Sequence, residues 1–287
     1  MKNIKFGWRP AICLVAAIGF FASSCQKKFD PNSYKPAETF GGYSASSQIA
    51  STDLVAYWAF NGSLVDSVSN TSCVNTGTTF GTGIVGQGLQ CGLNTYAIFT
   101  PTTAIKNLQS ATISFWVNTA ENSTGIQEAI CFANSTQFWS NLDLFFDGQS
   151  ATGATFKIHA YGNGGNSEEW LTNWTLNNPW NTWQHYVLTY DSASATFNFY
   201  VNGSLYQSGT NVGTATAANF GALNFAAVPA IVFGTIQFMT TPSLTSGATS
   251  QSWASYLTGV LDEVRIYDKA LDASDIAALD KLELLGR

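Results

Sequence analysis

Between Leu54 and Tyr267 the chain is a succession of short runs rich in β-branched and aromatic residues, separated by glycine, asparagine, serine and threonine. Runs of this length, closed by turn formers, are the pattern of strands and not of helices. Strands are expected at Leu54–Phe60, Val74–Phe80, Tyr96–Phe99, Ala111–Val117, Ala129–Phe132 and Leu142–Phe146. Others are expected at Thr155–Tyr161, His185–Tyr190, Thr196–Val201, Ile231–Phe233 and Gly259–Tyr267. The clearest hairpin is TFNFYVNGSLYQSG, where Asn202 and Gly203 supply the two positive-φ positions of a type I′ turn. Only the end has a helical pattern. Asp272 can cap it, Asp275 completes a capping-box variant, and Ile276, Leu279 and Leu282 form an apolar stripe. Many evenly spaced strands with almost no helix specify an all-β sandwich or jelly roll with a short C-terminal helix.

Charge is scarce. Charged residues make up 10% of the chain, where about a quarter is typical. From Pro36 to Val264 the basic residues are Lys106 and Lys157 alone, so no basic patch can form there. That makes nucleic acid and anionic lipid headgroups poor partners for this region. A surface of Asn, Ser, Thr, Gly and aromatic residues suits neutral, hydroxyl-rich ligands.

The first 51 residues follow a different logic. Lys2, Lys5 and Arg9 precede an apolar run, Ala11–Phe21, of signal-peptide length. Ala22-Ser23-Ser24-Cys25 then resembles a bacterial lipoprotein signal, which would make residues 1–24 a signal peptide and Cys25 the acylated first residue of the mature protein. Several acyl chains there would supply a stable membrane anchor. Residues 25–51 carry Pro31, Pro36 and a glycine pair without sustained periodicity, and are expected to be a flexible tether to a domain over residues 52–287. An exported chain also permits disulfides. Cys73 and Cys91 would close a short loop between two strands, the alternative being buried thiols that act as small hydrophobes.

Several segments together carry a resemblance. LVAYWAFNGSLVDS, GIVGQGLQ, ATISFWVNT, WQHYVLTYDSASATFNFYVNGSL and GVLDEVRIYDKALDASDIAAL occur in the order found in laminin-G-like, concanavalin A-like jelly-roll domains. The match extends from about Leu54 to Leu279 and resembles exported lipoproteins of Bacteroidetes-type bacteria, often found alongside glycan-uptake systems. Outer-membrane placement, on the cell surface or the periplasmic side, is what it implies. Function does not follow, because this fold serves lectins, hydrolases, lyases and adhesion modules alike.

Catalytic patterns are weak. No Glu is followed two residues later by Asp, so the laminarinase-type Glu-x-Asp-x-x-Glu is missing. Glu168-Glu169 and Asp262-Glu263 are adjacent pairs, which on a strand face opposite ways. Asp143 and Asp147 could share a face on a strand, but their separation fits a loop-end pair better, and His159 and His185 are each expected to be a structural or surface histidine. Gly81–Gly86 spells the dinucleotide fingerprint, but no helix or acidic partner follows.

Two kinds of site stay open. By the resemblance, Asn61, Asp66 and Asp262 stand where related domains hold a structural Ca²⁺, although Asn61 occupies a position that many relatives fill with Asp. Alternatively, these are hydrogen-bonding turn residues. Trp139, Trp170, Trp174, Trp180 and Trp253, together with Glu169, lie in or near stretches rich in Asn, Ser and Thr, densest in EEWLTNWTLNNPWNTW. Indole faces stacking on sugar C–H surfaces beside amide and carboxylate groups would form a glycan site, and packing is the alternative for each. The expectation is a lipid-anchored glycan-binding protein that captures polysaccharide or oligosaccharide for an uptake complex. The competing readings are a hydrolase or lyase and a protein-adhesion module.

Overall fold

A computed structural model describes residues 38–209 and 220–287. The expected signal peptide, Cys25 and the first part of the tether lie outside these residues.

Two antiparallel sheets form the domain. The first runs in the order β15 (Ser204–Gly209), β14 (Thr196–Val201), β13 (Gln184–Asp191), β8 (Ala111–Thr119), β18 (Gly259–Tyr267), β6 (Gln87–Gln90) and β5 (Thr79–Thr82), with β1 (Leu54–Trp58) also paired to β18. In the second the order is β12 (Ser167–Asn177), β11 (Gly153–Gly162), β10 (Leu142–Ser150), β9 (Ile126–Phe132), β16 (Ile231–Phe233), β7 (Tyr96–Phe99) and β4 (Val74–Thr76). A short β17 (Ala254–Ser255) lies parallel to β9, and β2 (Val65–Asp66) pairs with β3 (Thr71–Ser72). Two helices complete the elements used below, α1 (Thr103–Lys106) and α2 (Ala273–Leu284).

Alternation decides what lies between the sheets. Ile113, Phe115 and Val117 of β8 and Leu142, Leu144 and Phe146 of β10 belong to one buried cluster. Trp58 meets Phe99 and Phe233 edge-on at 4.7 and 5.0 Å, a geometry that aromatic pairs favour beyond simple area burial. Asn202 and Gly203 have φ of 50° and 73°, as the hairpin requires.

On the outer face of the first sheet lies α2. Asp272 caps it by accepting from Asp275 N at 2.9 Å, and Ile276, Leu279 and Leu282 pack on Val187, Tyr200 and Tyr267. Residues 38–51 were expected to be tether, yet they dock here. Ile49 is buried in the same cluster, Tyr43 donates to Asp275 at 2.9 Å, and Arg287 donates to Ser44 O at 2.7 Å. Apolar Phe40, Tyr43 and Ile49 explain the difference, since each gains by covering the helix.

The expected disulfide is absent. Cys73 and Cys91 are free and buried, and burial pushes each thiol up to about 12. They act as small apolar side chains.

Candidate functional site

The outer face of the second sheet is built from the alternate residues of β10, β11 and β12. Asp143 and Phe145 on β10 stand beside His159 and Lys157 on β11, while Trp170 and Glu168 on β12 stand beside His159 and Tyr161. Two loops cover this face and bring Phe138, Trp139, Phe238 and Trp253 onto it, around buried Phe145. Gln237 fixes the first loop by donating to Gln137 O at 3.0 Å and Phe138 O at 2.9 Å.

The rings form a stepped surface. Trp139 lies parallel to Phe145 with centroids 5.7 Å apart, and Trp170 stands perpendicular to Trp139 at 4.8 Å. Trp253, 41% exposed, approaches Trp139 at 5.9 Å. Trp139 and Trp170 are both half-buried.

Beneath them runs a polar chain. His159 is fully buried, with Nδ1 at 2.8 Å from Asp143 Oδ2 and Nε2 at 3.1 Å from Glu168 Oε1. Trp170 Nε1 donates to the same Glu168 oxygen at 3.1 Å, and Ser140 N donates to Asp143 Oδ2 at 3.0 Å. Both ring nitrogens of His159 therefore face carboxylate oxygens. Glu128 is buried nearby, one oxygen accepting from Leu144 N. Burial, and then the Asp143 charge, push its carboxyl well above the usual carboxylate range. A neutral Glu128 is a hydrogen-bond donor, which lowers the cost of placing it beside Asp143.

Glu168 is the outlet of this chain. Its side chain is 41% exposed, and the oxygen not engaged by His159 and Trp170 is available to a ligand. Tyr161 packs edge-on against His159 at 4.8 Å, and burial, then Glu168, push its phenol up to about 12. It remains a donor.

A polar cleft opens at each end of the aromatic surface. One, of about 360 Å³, is lined by Asn134, Asn141, Tyr161, Gly165 and Asn224 among others. The second, of about 340 Å³, is lined by Asn122, Thr124, Asp147, Gln149 and Trp253 among others. Amides and hydroxyls around exposed rings make a surface that can stack on a sugar face and bond its hydroxyls.

The expected site residues divide. Trp139 and Trp170 belong to this face. Trp174 does not: it is 6% exposed and stacks on Phe199 at 5.4 Å inside the core. Trp180 is also buried, packs on Phe146 at 5.5 Å and donates to Ser150 O at 2.7 Å. Glu169 falls between Glu168 and Trp170, so strand alternation turns it to the opposite side of β12. The carboxylate beside the rings is Glu168. His159 and Asp143, expected to be a structural histidine and a loop-end acid, carry that carboxylate. The cross-strand register that joins them has no signature in either segment alone.

Asn61, Asp66 and Asp262 do not make a cation site. Asp262 Oδ2 accepts from Ile84 N at 2.8 Å and Val85 N at 3.1 Å, and Asn61 Oδ1 accepts from Gln87 N. Asp66 accepts from Tyr57 N, Val68 N and Ser69 N at 2.8–3.1 Å. Oxygens ringed by N–H donors do not fit Ca²⁺, which needs them as ligands. Among the described residues no group of three acidic, histidine or cysteine side chains is gathered for a metal. Gly81–Gly86 closes the β5–β6 hairpin, with Gly83 N donating to Gly86 O at 3.0 Å.

Residues 92–230 match the family model described as the concanavalin A-like lectin/glucanases superfamily, and the two sheets supply its architecture. This is a concanavalin A-like jelly roll. Among solved structures, the concanavalin A-like domain is similar to domain 4 of AbnA, an extracellular arabinanase from Geobacillus stearothermophilus, in complex with arabinotriose. The TM-score is 0.51 at 19% identity, over 79% of this chain and 98% of that one. It also resembles the binding domain of Paraclostridial Mosquitocidal Protein 1, with TM-score 0.55 and 16% identity over 80% of this chain and 52% of the other. The botulinum neurotoxin serotype D ligand-binding domain in complex with N-acetylneuraminic acid gives 0.53 and 14%, over 82% and 52%. The chain thus spans about half the length of the two toxin domains. Identities this low establish the fold alone. No curated protein matches the sequence.

Proposed function

We propose that the domain binds oligosaccharide or polysaccharide chains, without catalysis, on the outer face of β10–β12. The observation that carries this is the corner made by Trp139 and Trp170, perpendicular at 4.8 Å, with the Glu168 carboxylate held at its edge by His159. Rings offer stacking surfaces, Glu168 and Tyr161 offer an acceptor and a donor for hydroxyls, and the amide-lined clefts extend the surface in both directions. The AbnA domain in complex with arabinotriose lends this reading support, since it has the same fold over nearly its whole length.

Turnover is not part of the proposal. Asp143 is buried and committed to His159, while Glu168 is committed to His159 and Trp170. These two carboxylates belong to one hydrogen-bonded chain and do not flank an open groove, as the hydrolysis of a glycosidic bond requires.

The Cys25 signal supports attachment to the outer membrane, with the domain capturing glycan for a neighbouring uptake complex. Among the described residues no helix is long and apolar enough to cross a membrane. The test is a binding screen of the purified chain against plant, algal and host polysaccharides, with product analysis by chromatography. Saturable binding without product supports the proposal. Released oligosaccharides would replace it with the hydrolase or lyase reading, and no binding would leave the adhesion module.

A further inference from the structure

We infer that this face selects uncharged glycans and rejects anionic ones, and that Glu168 makes the distinction; the inference rests on the glycan-binding reading above. Residues 38–287 hold 17 Asp and Glu against 6 Lys and Arg, an excess of negative charge over the whole domain. What matters is where the six cations are. Lys157 is on the face itself, but Asp147 holds it. Arg265 is buried between Glu263 and Glu283, Lys269 pairs with Asp53, and Lys281 pairs with Asp280. Arg287 donates to the backbone carbonyls of Glu38 and Ser44. Lys106 sits on α1, which packs on β1 of the other sheet.

No free cation therefore meets a uronate, sulfate or sialate on this surface, among the described residues. His159 cannot substitute, because it is fully buried and both its nitrogens are already bonded to carboxylates. Two carboxylates, Asp143 and Glu168, flank the one imidazole, and the acidic excess faces outward through the free oxygen of Glu168. A hydroxyl donates to that oxygen, whereas an anion is repelled by it. Such repulsion is how an interface rejects a ligand of otherwise suitable shape.

Matched polysaccharides test this directly. Polygalacturonate, alginate and glucuronoxylan would each be presented to the full chain in native acidic form and in carboxyl-reduced, neutral form, together with arabinan and laminarin. The wild-type protein is expected to bind at least one neutral probe whose acidic counterpart is at least tenfold weaker. Glu168→Gln, which keeps an acceptor for Trp170 but removes the charge, should narrow that gap to within about threefold. Raising salt from about 0.05 to 0.5 M should narrow it for the wild type too, which serves if the variant is poorly folded. Equal or tighter binding of the acidic forms, or a gap that neither salt nor Glu168→Gln changes, would overturn the inference and leave glycan binding intact. No binding to any neutral or acidic probe would remove both.

Discussion

The carboxylate of Glu283, near the end of the C-terminal helix, accepts from Arg265 Nε at 2.7 Å, and both side chains are buried. Its other oxygen accepts from Trp116 Nε1 at 2.7 Å. Arg265 also donates to Glu263 at 2.7 Å and lies over the Tyr57 ring at 3.9 Å. The helix is thus joined to the sheet by a closed polar network as well as by its apolar stripe. Glu283→Ala would leave the buried Arg265 Nε and the Trp116 indole N–H without their acceptor, and the guanidinium with Glu263 as its one remaining carboxylate partner. A loss of about 3–5 kcal/mol is expected, as when one member of a buried pair is removed. At about 2–4 °C per kcal/mol for a domain of this size, thermal unfolding should shift by roughly 10 °C. Truncation after Tyr267 should cost more, because Ile276, Leu279 and Leu282 leave with the helix. An unchanged melting curve in either variant would show that the helix is peripheral.

Much of the fold was legible because strand alternation and turn chemistry are local signals. Tyr96–Phe99, Thr196–Val201, Ile231–Phe233 and Gly259–Tyr267 form strands with the expected limits. The site was less legible, and β12 shows why. Trp170 and Trp174 are four apart, so an uninterrupted strand would put both on one face. In the structure Leu171 pairs with Ile158 and Trp174 with Phe156, leaving one extra residue on β12. That bulge reverses the phase, sending Trp174 inward while Trp170 stays outside. Register between strands, not composition, separates the ligand face from the core. The same holds for Asp143 and His159, which meet only because β10 and β11 pair at that offset.

The two tryptophans should therefore behave oppositely. Trp174→Ala removes a ring stacked on Phe199 and should cost about 3–5 kcal/mol of stability, read from denaturant unfolding. Trp170→Ala removes a half-buried ring and should leave the domain folded, while any glycan affinity falls about tenfold or more. Isothermal titration of both variants against the best ligand of the wild type separates the roles. Native affinity in Trp170→Ala would move the site elsewhere.

Calcium should have no effect on stability. Asn61 and Asp262 are turn-closing acceptors for the N–H groups of Ile84, Val85 and Gln87, and a cation would have to displace them. Chelator and excess calcium should give superimposable melting curves, since a ligand that does not bind the native state cannot stabilise it. The turn itself is sensitive. A Cβ at Gly83 would lie 2.3 Å from Asp262 Oδ2, and one at Gly86, where φ is +69°, 2.2 Å from Asn61 Oδ1. Either glycine changed to alanine should destabilise the domain with or without calcium. A calcium-dependent rise in melting temperature would restore the metal-site reading.

The pH dependence should come from two separate sets of acids. Burial is the main cause that pushes Asp262 up to about 7, and burial followed by the Glu283 charge does the same to Glu263. A carboxyl whose folded pKa is raised binds protons more tightly in the native state, so its stabilising effect is complete below about pH 4 and is lost as pH rises to about 7. Asp191 and Asp272 are held low, chiefly by the Ser194 and Ser274 hydroxyls, and their contribution is instead lost as pH falls below about 4. Stability should then peak near pH 4–5 and decline towards about pH 8. Asp262→Asn removes one of the raised groups, so its melting temperature should fall less between about pH 5 and 8 than that of the wild type, whatever the constant cost of the amide. Parallel slopes for the two proteins would show that Asp262 is ionised throughout, with its N–H partners outweighing burial.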